Sequence, residues 1–144
     1  LALGRAALCA EAVGAMEVAC EQTLDYLKER KQFGTPLSAF QSLQHRMVDM
    51  HLHLEQARSM AILAATSLAL PGAERDYRLA AAKAYCGEAA RFVAEQAIQL
   101  HGGMGMTEEC HVSHYAKHLV MFDHYLGDVD HHLDYVSDHL VDAA

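Results

Sequence analysis

Between Leu43 and Leu68 the small and apolar residues fall in steps of four and three: Leu43, Met47, Met50, Leu54, Ala57, Ala61, Ala64, Leu68. That rhythm lays one narrow stripe along an α-helix, and no strand meets it, because strand side chains alternate at every second residue. A stripe of this kind is the seam of a helix packed at a shallow angle against its neighbours. The pattern recurs. Residues 1 to about 30 carry Leu8, Met16, Cys20, Leu24 and Leu27 near helical spacing, opposed by Glu17, Glu21, Asp25 and Lys28. Residues 73 to 100 align Leu79, Ala82, Cys86, Ala89, Val93, Ala97 and Leu100. The last stretch runs through Tyr115, Leu119, Phe122, Leu126, Val129, Leu133, Val136 and Leu140, with Gly127 splitting it and Asp128 capping the helix that follows. Gly34 with Pro36, Pro71 with Gly72, and the glycine run after His101 are the breakers between segments. These signals predict an all-α fold, an antiparallel up-down four-helix bundle occupying residues 1–144 as one domain. A bundle by itself names no function.

The formal charge of −8 argues against a nucleic-acid backbone or an anionic membrane as partner, since both call for a basic surface. No apolar run approaches the roughly 18 to 20 residues that cross a bilayer. The four cysteines, Cys9, Cys20, Cys86 and Cys110, are scattered without a paired motif, as expected of reduced thiols in a cytoplasmic protein. The chain opens on Leu1 already inside a helical pattern, and the expectation is a piece of a longer protein.

Two segments bring chemistry. The first is Arg30-Lys31-Gln32-Phe33-Gly34-Thr35-Pro36-Leu37, followed by Phe40-Gln41. The second is Ala97-Ile98-Gln99-Leu100-His101-Gly102-Gly103-Met104-Gly105-Met106-Thr107. A guanidinium at a helix end and backbone amides at bare glycines are what a diphosphate needs. Phe33 offers a face for an aromatic base, and Gln41 and Gln99 offer donors and acceptors to polar edges. A plainer reading makes Arg30 a helix C-cap partner, Phe33 a core residue and the glycines simple turns.

Together, in this order and spacing, the two segments closely resemble signatures of the C-terminal helical domain of the acyl-CoA dehydrogenase family, and the resemblance spans essentially the whole chain. It implies a full-length enzyme that uses FAD to introduce an α,β double bond into an acyl-CoA thioester and passes electrons to an electron-transfer flavoprotein. It further implies that Arg30, Gln32, Phe33, Gln41, Gln99, Gly102 and Gly103 contact FAD held mainly by a neighbouring subunit. Asp128 would touch flavin, and Arg5 and Tyr125 would face the acyl pocket.

In the family, a glutamate takes the substrate's α-proton while the flavin takes the β-hydride. Its usual seat follows the glycine turn in a tyrosine-glutamate-glycine-threonine segment, where this chain reads Tyr125-Leu126-Gly127-Asp128. A minority of members carry it in the first helix, one residue before an arginine, where this chain reads Gly4-Arg5. Neither leucine nor glycine can take a proton, so no catalytic base is assigned. The ending around Leu126-Gly127-Asp128 resembles small subunits of the pimeloyl-CoA dehydrogenase kind and subunits of heteromeric bacterial dehydrogenases. Three explanations stand open: a partner subunit supplies the glutamate, the base lies elsewhere (Asp123 or Asp128, or segments beyond this chain), or the chemistry is lost. Homo- or hetero-oligomers with another such subunit are therefore expected. The alternative from a different class is a non-catalytic helical interaction or dimerisation domain. His111, His114 and His118 beside Cys110 have helical spacing, but the separated pairs of a structural zinc site are missing, and no metal is assigned.

Overall fold

A computed structural model describes residues 1 to 142, with side chains described through Val141. The helices are α1 (Ala2–Glu29), α2 (Gln41–Ser67), α3 (Gly72–His101), α4 (His111–Phe122) and α5 (Val129–Asp142). Between α1 and α2 lies a short antiparallel hairpin, β1 (Lys31–Gln32) with β2 (Thr35–Pro36), in which Lys31 pairs with Pro36 and Gln32 with Thr35. A 3-10 turn, Gly102–Met106, joins α3 to α4.

The predicted all-α bundle is what forms. Tyr26 near the end of α1 stacks on His101 at the end of α3, with ring centroids 4.4 Å apart. These two helices therefore run in the same direction. Between them, α2 runs the opposite way, tied to α3 by Arg46 donating to Gln96 at 2.8 Å and by His53 against Phe92. The α4 helix lies antiparallel against α1 and α3, and α5 packs on α3. The core follows the stripes: Met50, Leu54, Ala57, Ala61 and Ala64 of α2 meet Cys9, Met16 and Leu27 of α1 and Leu79, Cys86, Val93 and Leu100 of α3. Small residues along the seams let the helix axes approach closely enough for the large ones to interlock. All four cysteines are free thiols, three of them buried. No helix among the described residues is long and apolar enough to cross a membrane.

Three details correct the sequence expectation. The hairpin was not foreseen, because strands of two residues leave no periodicity to read. Leu24, assigned to the inner face of α1, is exposed. The four-and-three rhythm of the last stretch is broken by the turn at residues 123–128, so that Leu119 and Phe122 are buried whereas Leu133 and Leu140 face outward on α5. The split at Gly127 and the Asp128 cap do form: Asp128 Oδ1 accepts from the His131 N–H at 2.9 Å.

Candidate functional site

The first set of predicted residues gathers where α1 and α3 end. Arg30 caps α1 through its own N–H, which donates to Tyr26 O at 2.8 Å, and its carbonyl accepts from Leu37 N–H at 2.8 Å to close the hairpin. Its guanidinium is exposed and, among the described residues, enters no ion pair. Phe33 and Gly34 form the hairpin tip with φ of 55° and 79°. Positive φ at both central positions is the geometry that asparagine-glycine favours, and a bulky side chain there costs about 1–2 kcal/mol. Burial does not offset that strain, because Phe33 is 91% exposed and touches Phe40 only edge-on at 6.2 Å. The reading of Phe33 as core is therefore excluded. Gln41, the first residue of α2, follows Phe40 and is exposed, as is Gln32 on β1.

The glycine turn joins this end through the Tyr26–His101 stack, supported by the Tyr26 hydroxyl donating to His101 O at 3.4 Å. Burial lowers the His101 pKa, keeping its ring neutral beside Tyr26. Gly102 has φ 62° and ψ −142°, a backbone state that glycine alone adopts freely. At Gly103 an added Cβ would meet nothing within 4 Å, so the fold itself does not demand a bare backbone there. Exposed glycine amides, the exposed Gln99, an unpaired arginine and an uncovered aromatic ring form a donor set that fits an extended diphosphate ligand with an aromatic base.

The second set lies at the other end. A Cβ added at Gly4 would stand 3.0 Å from Cδ1 of Leu126, so the two positions where the family resemblance seats a base share one point in space. Arg5 follows Gly4, and its Nε is buried without a hydrogen-bond partner. Leu126 itself has φ 58°, an unusual state for a branched side chain. Three side chains hold this turn. Asp123 Oδ1 accepts from Val129 N–H at 3.0 Å, Lys83 Nζ donates to Gly127 O at 3.0 Å and to Asp123 O at 3.3 Å, and His132 Nε2–H donates to Leu126 O at 3.1 Å. Tyr125 is half exposed beside it. Asp128 lies at this end, and one of its carboxylate oxygens is engaged as the α5 cap. Asp123, considered as a base, is likewise committed to Val129. From Gly87, which faces Asp123 and Val129, to Gly102 is roughly 22 Å along α3 at 1.5 Å per residue.

Burial, with the nearby charges of Arg5, Lys83 and His131 adding to it, pushes the His132 pKa down to about 4 from 6.5. The unfolded chain takes up this proton near pH 6.5, whereas the native chain resists until about pH 4. The contribution to stability is therefore complete above pH 6.5 and shrinks as pH falls, by about 2 kcal/mol at pH 5. Urea unfolding at pH 7 and pH 5 checks this against His132→Gln, which keeps a donor and does not titrate. Equal losses in both chains would remove His132 as the cause.

Among the described residues no group of three or more His, Cys, Asp or Glu side chains comes together as a metal site. His118 faces Glu11 at 3.3 Å, His114 donates to Glu108 O at 3.1 Å, and His111 is exposed, so the three turn to different partners.

Comparison with known proteins identifies the family. Residues 1–141 match the family described as "Acyl-CoA dehydrogenase, C-terminal domain". The "Probable acyl-CoA dehydrogenase YngJ" of Bacillus subtilis is 41% identical over 108 residues, covering 74% of this chain and 28% of that protein. Two solved structures, each 28% identical, superpose closely. The steroid ACAD Tcur3481-Tcur3483 gives a TM-score of 0.93 over 99% of this chain and 39% of its own. An FAD complex of PigA gives 0.82 over 94% of this chain and 35% of its own. The chain thus spans about a third of the length of the relatives it matches. With the family match running over residues 1–141, the chain belongs to the acyl-CoA dehydrogenase family, matching its C-terminal domain.

Proposed function

We propose that this chain is the FAD-contacting and oligomerisation domain at the C-terminal end of a longer cytoplasmic, flavin-dependent acyl-CoA dehydrogenase, in a subunit without the usual glutamate base. The observation that carries this reading is the meeting of Leu126 with Gly4: two distant segments converge on one point, and neither brings a carboxylate to it. At the opposite end, Arg30 pairs with a diphosphate, the Gly102 and Gly103 amides approach it, Phe33 stacks on an adenine, and Gln32, Gln41 and Gln99 bond to polar edges. Bound FAD supplies the hydride acceptor for α,β-desaturation of an acyl-CoA thioester. Arg5 and Tyr125 face the acyl chain, and Asp128 offers its free oxygen toward flavin. The separation between the two ends supports a subunit that attends two flavins, its own through the turn at residue 126 and a neighbour's through the hairpin. A homologous partner subunit supplies the missing carboxylate, and an electron-transfer flavoprotein is the electron acceptor.

The test uses the full-length parent, purified alone and then with any co-encoded homologous subunit. A panel of acyl-CoAs is added without oxygen while the flavin absorbance is followed. Bleaching only with the partner supports the split site. Bleaching by the parent alone means that it carries its own base, and a parent that binds no flavin is an interaction domain.

Phe33→Asn tests the hairpin. Asparagine-glycine suits the turn, so unfolding of the variant is expected to cost about 1 kcal/mol more than wild type. In the parent, the same change is expected to weaken flavin retention about tenfold through lost stacking. Unchanged flavin affinity by fluorescence titration would remove Phe33 from the cofactor contact.

A further inference from the structure

Among the described residues, Lys83 is the one lysine or arginine in the core, and its side chain is completely buried. Nothing in the bundle's own packing calls for a charge there. It sits on the inner face of α3 between Leu79 and Cys86, with alanines on either side along the chain. Burying an ammonium is costly unless donors and charge are matched, so its partners tell what it is for. Two of them are backbone carbonyls of a single turn, Gly127 O at 3.0 Å and Asp123 O at 3.3 Å. The third contact is the face of Phe122, with Nζ 4.2 Å from the ring centroid, in the last residue before that turn. Both hydrogen bonds and the ring contact of the buried cation therefore go to the ends of the segment that carries residue 126, while the Cys9 and Cys86 thiols lie near it in the core. His132, 1% exposed, holds a third carbonyl of the turn, that of Leu126. Across from them, Gly87 keeps α3 bare where an added Cβ would lie 2.7 Å from both Asp123 Oδ1 and Val129 Cγ2. The turn is thus pressed onto α3 and fixed there from both sides.

We propose that Lys83, seconded by His132, is the positioning residue of this turn: it fixes the carbonyls of Asp123, Leu126 and Gly127 so that residue 126 stays in its left-handed conformation and presents its side chain to Gly4 and Arg5. The functional meaning of that placement rests on residue 126 being the seat of the base. The geometric content does not, and the two are separated by measuring each. In the full-length parent, hydrogen exchange is followed at the amides of His124, Tyr125, Val129, His131 and His132, all of which are bonded within or beside the turn. Lys83→Met keeps the length of the side chain and removes the donors. It is expected to speed exchange at these amides by about tenfold or more, while α1 and α2 exchange as before. His132→Leu should do the same, and His132→Gln, whose amide reaches a similar position, should restore protection. In a Leu126→Glu parent, Lys83→Met is expected to lower kcat about tenfold or more, with a smaller change in KM through Tyr125, because the carbonyls that Lys83 holds flank the base.

Faster exchange along every helix, or none at the turn, overturns the proposal and leaves Lys83 a residue of general stability. If Lys83→Met does not fold, the His132 pair decides: no difference between leucine and glutamine overturns the clamp. An inactive Leu126→Glu parent would count against the base seat, and the exchange result would still stand or fall by itself.

Discussion

Leu126→Glu in the flavin-loaded parent is expected to create dehydrogenase activity, or to raise it by about 10² to 10⁴-fold, the range that a positioned general base contributes. The geometry favours the change. Glutamate and leucine are close in volume, residue 126 is already held by its carbonyl and by that of Gly127, and its side chain already points at Gly4. The left-handed backbone costs a glutamate about what it costs the leucine, so the fold loses little. The site is partly closed, and partial desolvation raises the carboxyl pKa toward the range useful to a base near neutral pH. Anaerobic flavin bleaching with acyl-CoA measures the result, with Leu126→Gln as the control for shape without basicity. Equal rates from the glutamate and glutamine variants, both folded and flavin-loaded, would show that residue 126 does not reach the substrate.

Phe122→Ala is expected to be the most damaging single change to the fold, costing about 4 kcal/mol. Phe122 is 1% exposed, is among the largest fully buried side chains, and sits where α4 meets α1 and α3. Its removal opens a cavity in the seam and also strips the ring from Lys83, leaving one side of a buried ammonium without a partner. Phe122→Leu fills most of the volume and lacks the ring, so the difference between the two variants divides packing from the cation–π contribution. Urea unfolding of the 144-residue chain provides both numbers. A loss below about 1.5 kcal/mol for the alanine variant would mean that the helix ends repack around the gap.

Much of this was legible before any coordinates, and for a physical reason in each case. The stripe from Leu43 to Leu68 forces a seam, because a period near 3.5 has one structural solution, and the α3 stripe from Leu79 to Leu100 proved equally faithful. Arg30 and the glycine turn were legible through their residue types and order. That Asp128 lies at the opposite end from them was not legible, because order along a chain does not reveal which end of a bundle a residue reaches. The outward face of α5 was misread for a related cause: Leu133 and Leu140 continue the rhythm of Leu119 and Phe122, but the turn between them resets the helix phase. Lys83 is a polar residue in an alanine-rich helix, yet its position was readable. Its place four residues after Leu79 and three before Cys86 puts it on the core face, and that was the available signal. His132 gave no such signal, since its burial depends on a turn whose course the sequence does not display.

The approach of Gly4 to Leu126 also has a consequence for which sequences this architecture tolerates. At 3.0 Å, a methyl group at position 4 already makes the leucine tip give by a few tenths of an ångström, and a larger side chain displaces it further. Two positions 122 residues apart along the chain therefore compete for a single volume. Bulk at one entails glycine, or something near it, at the other. Substitutions at the two would be strongly non-additive, and across relatives of the same shape they would change as a pair, trading size back and forth while every helix stays where it is.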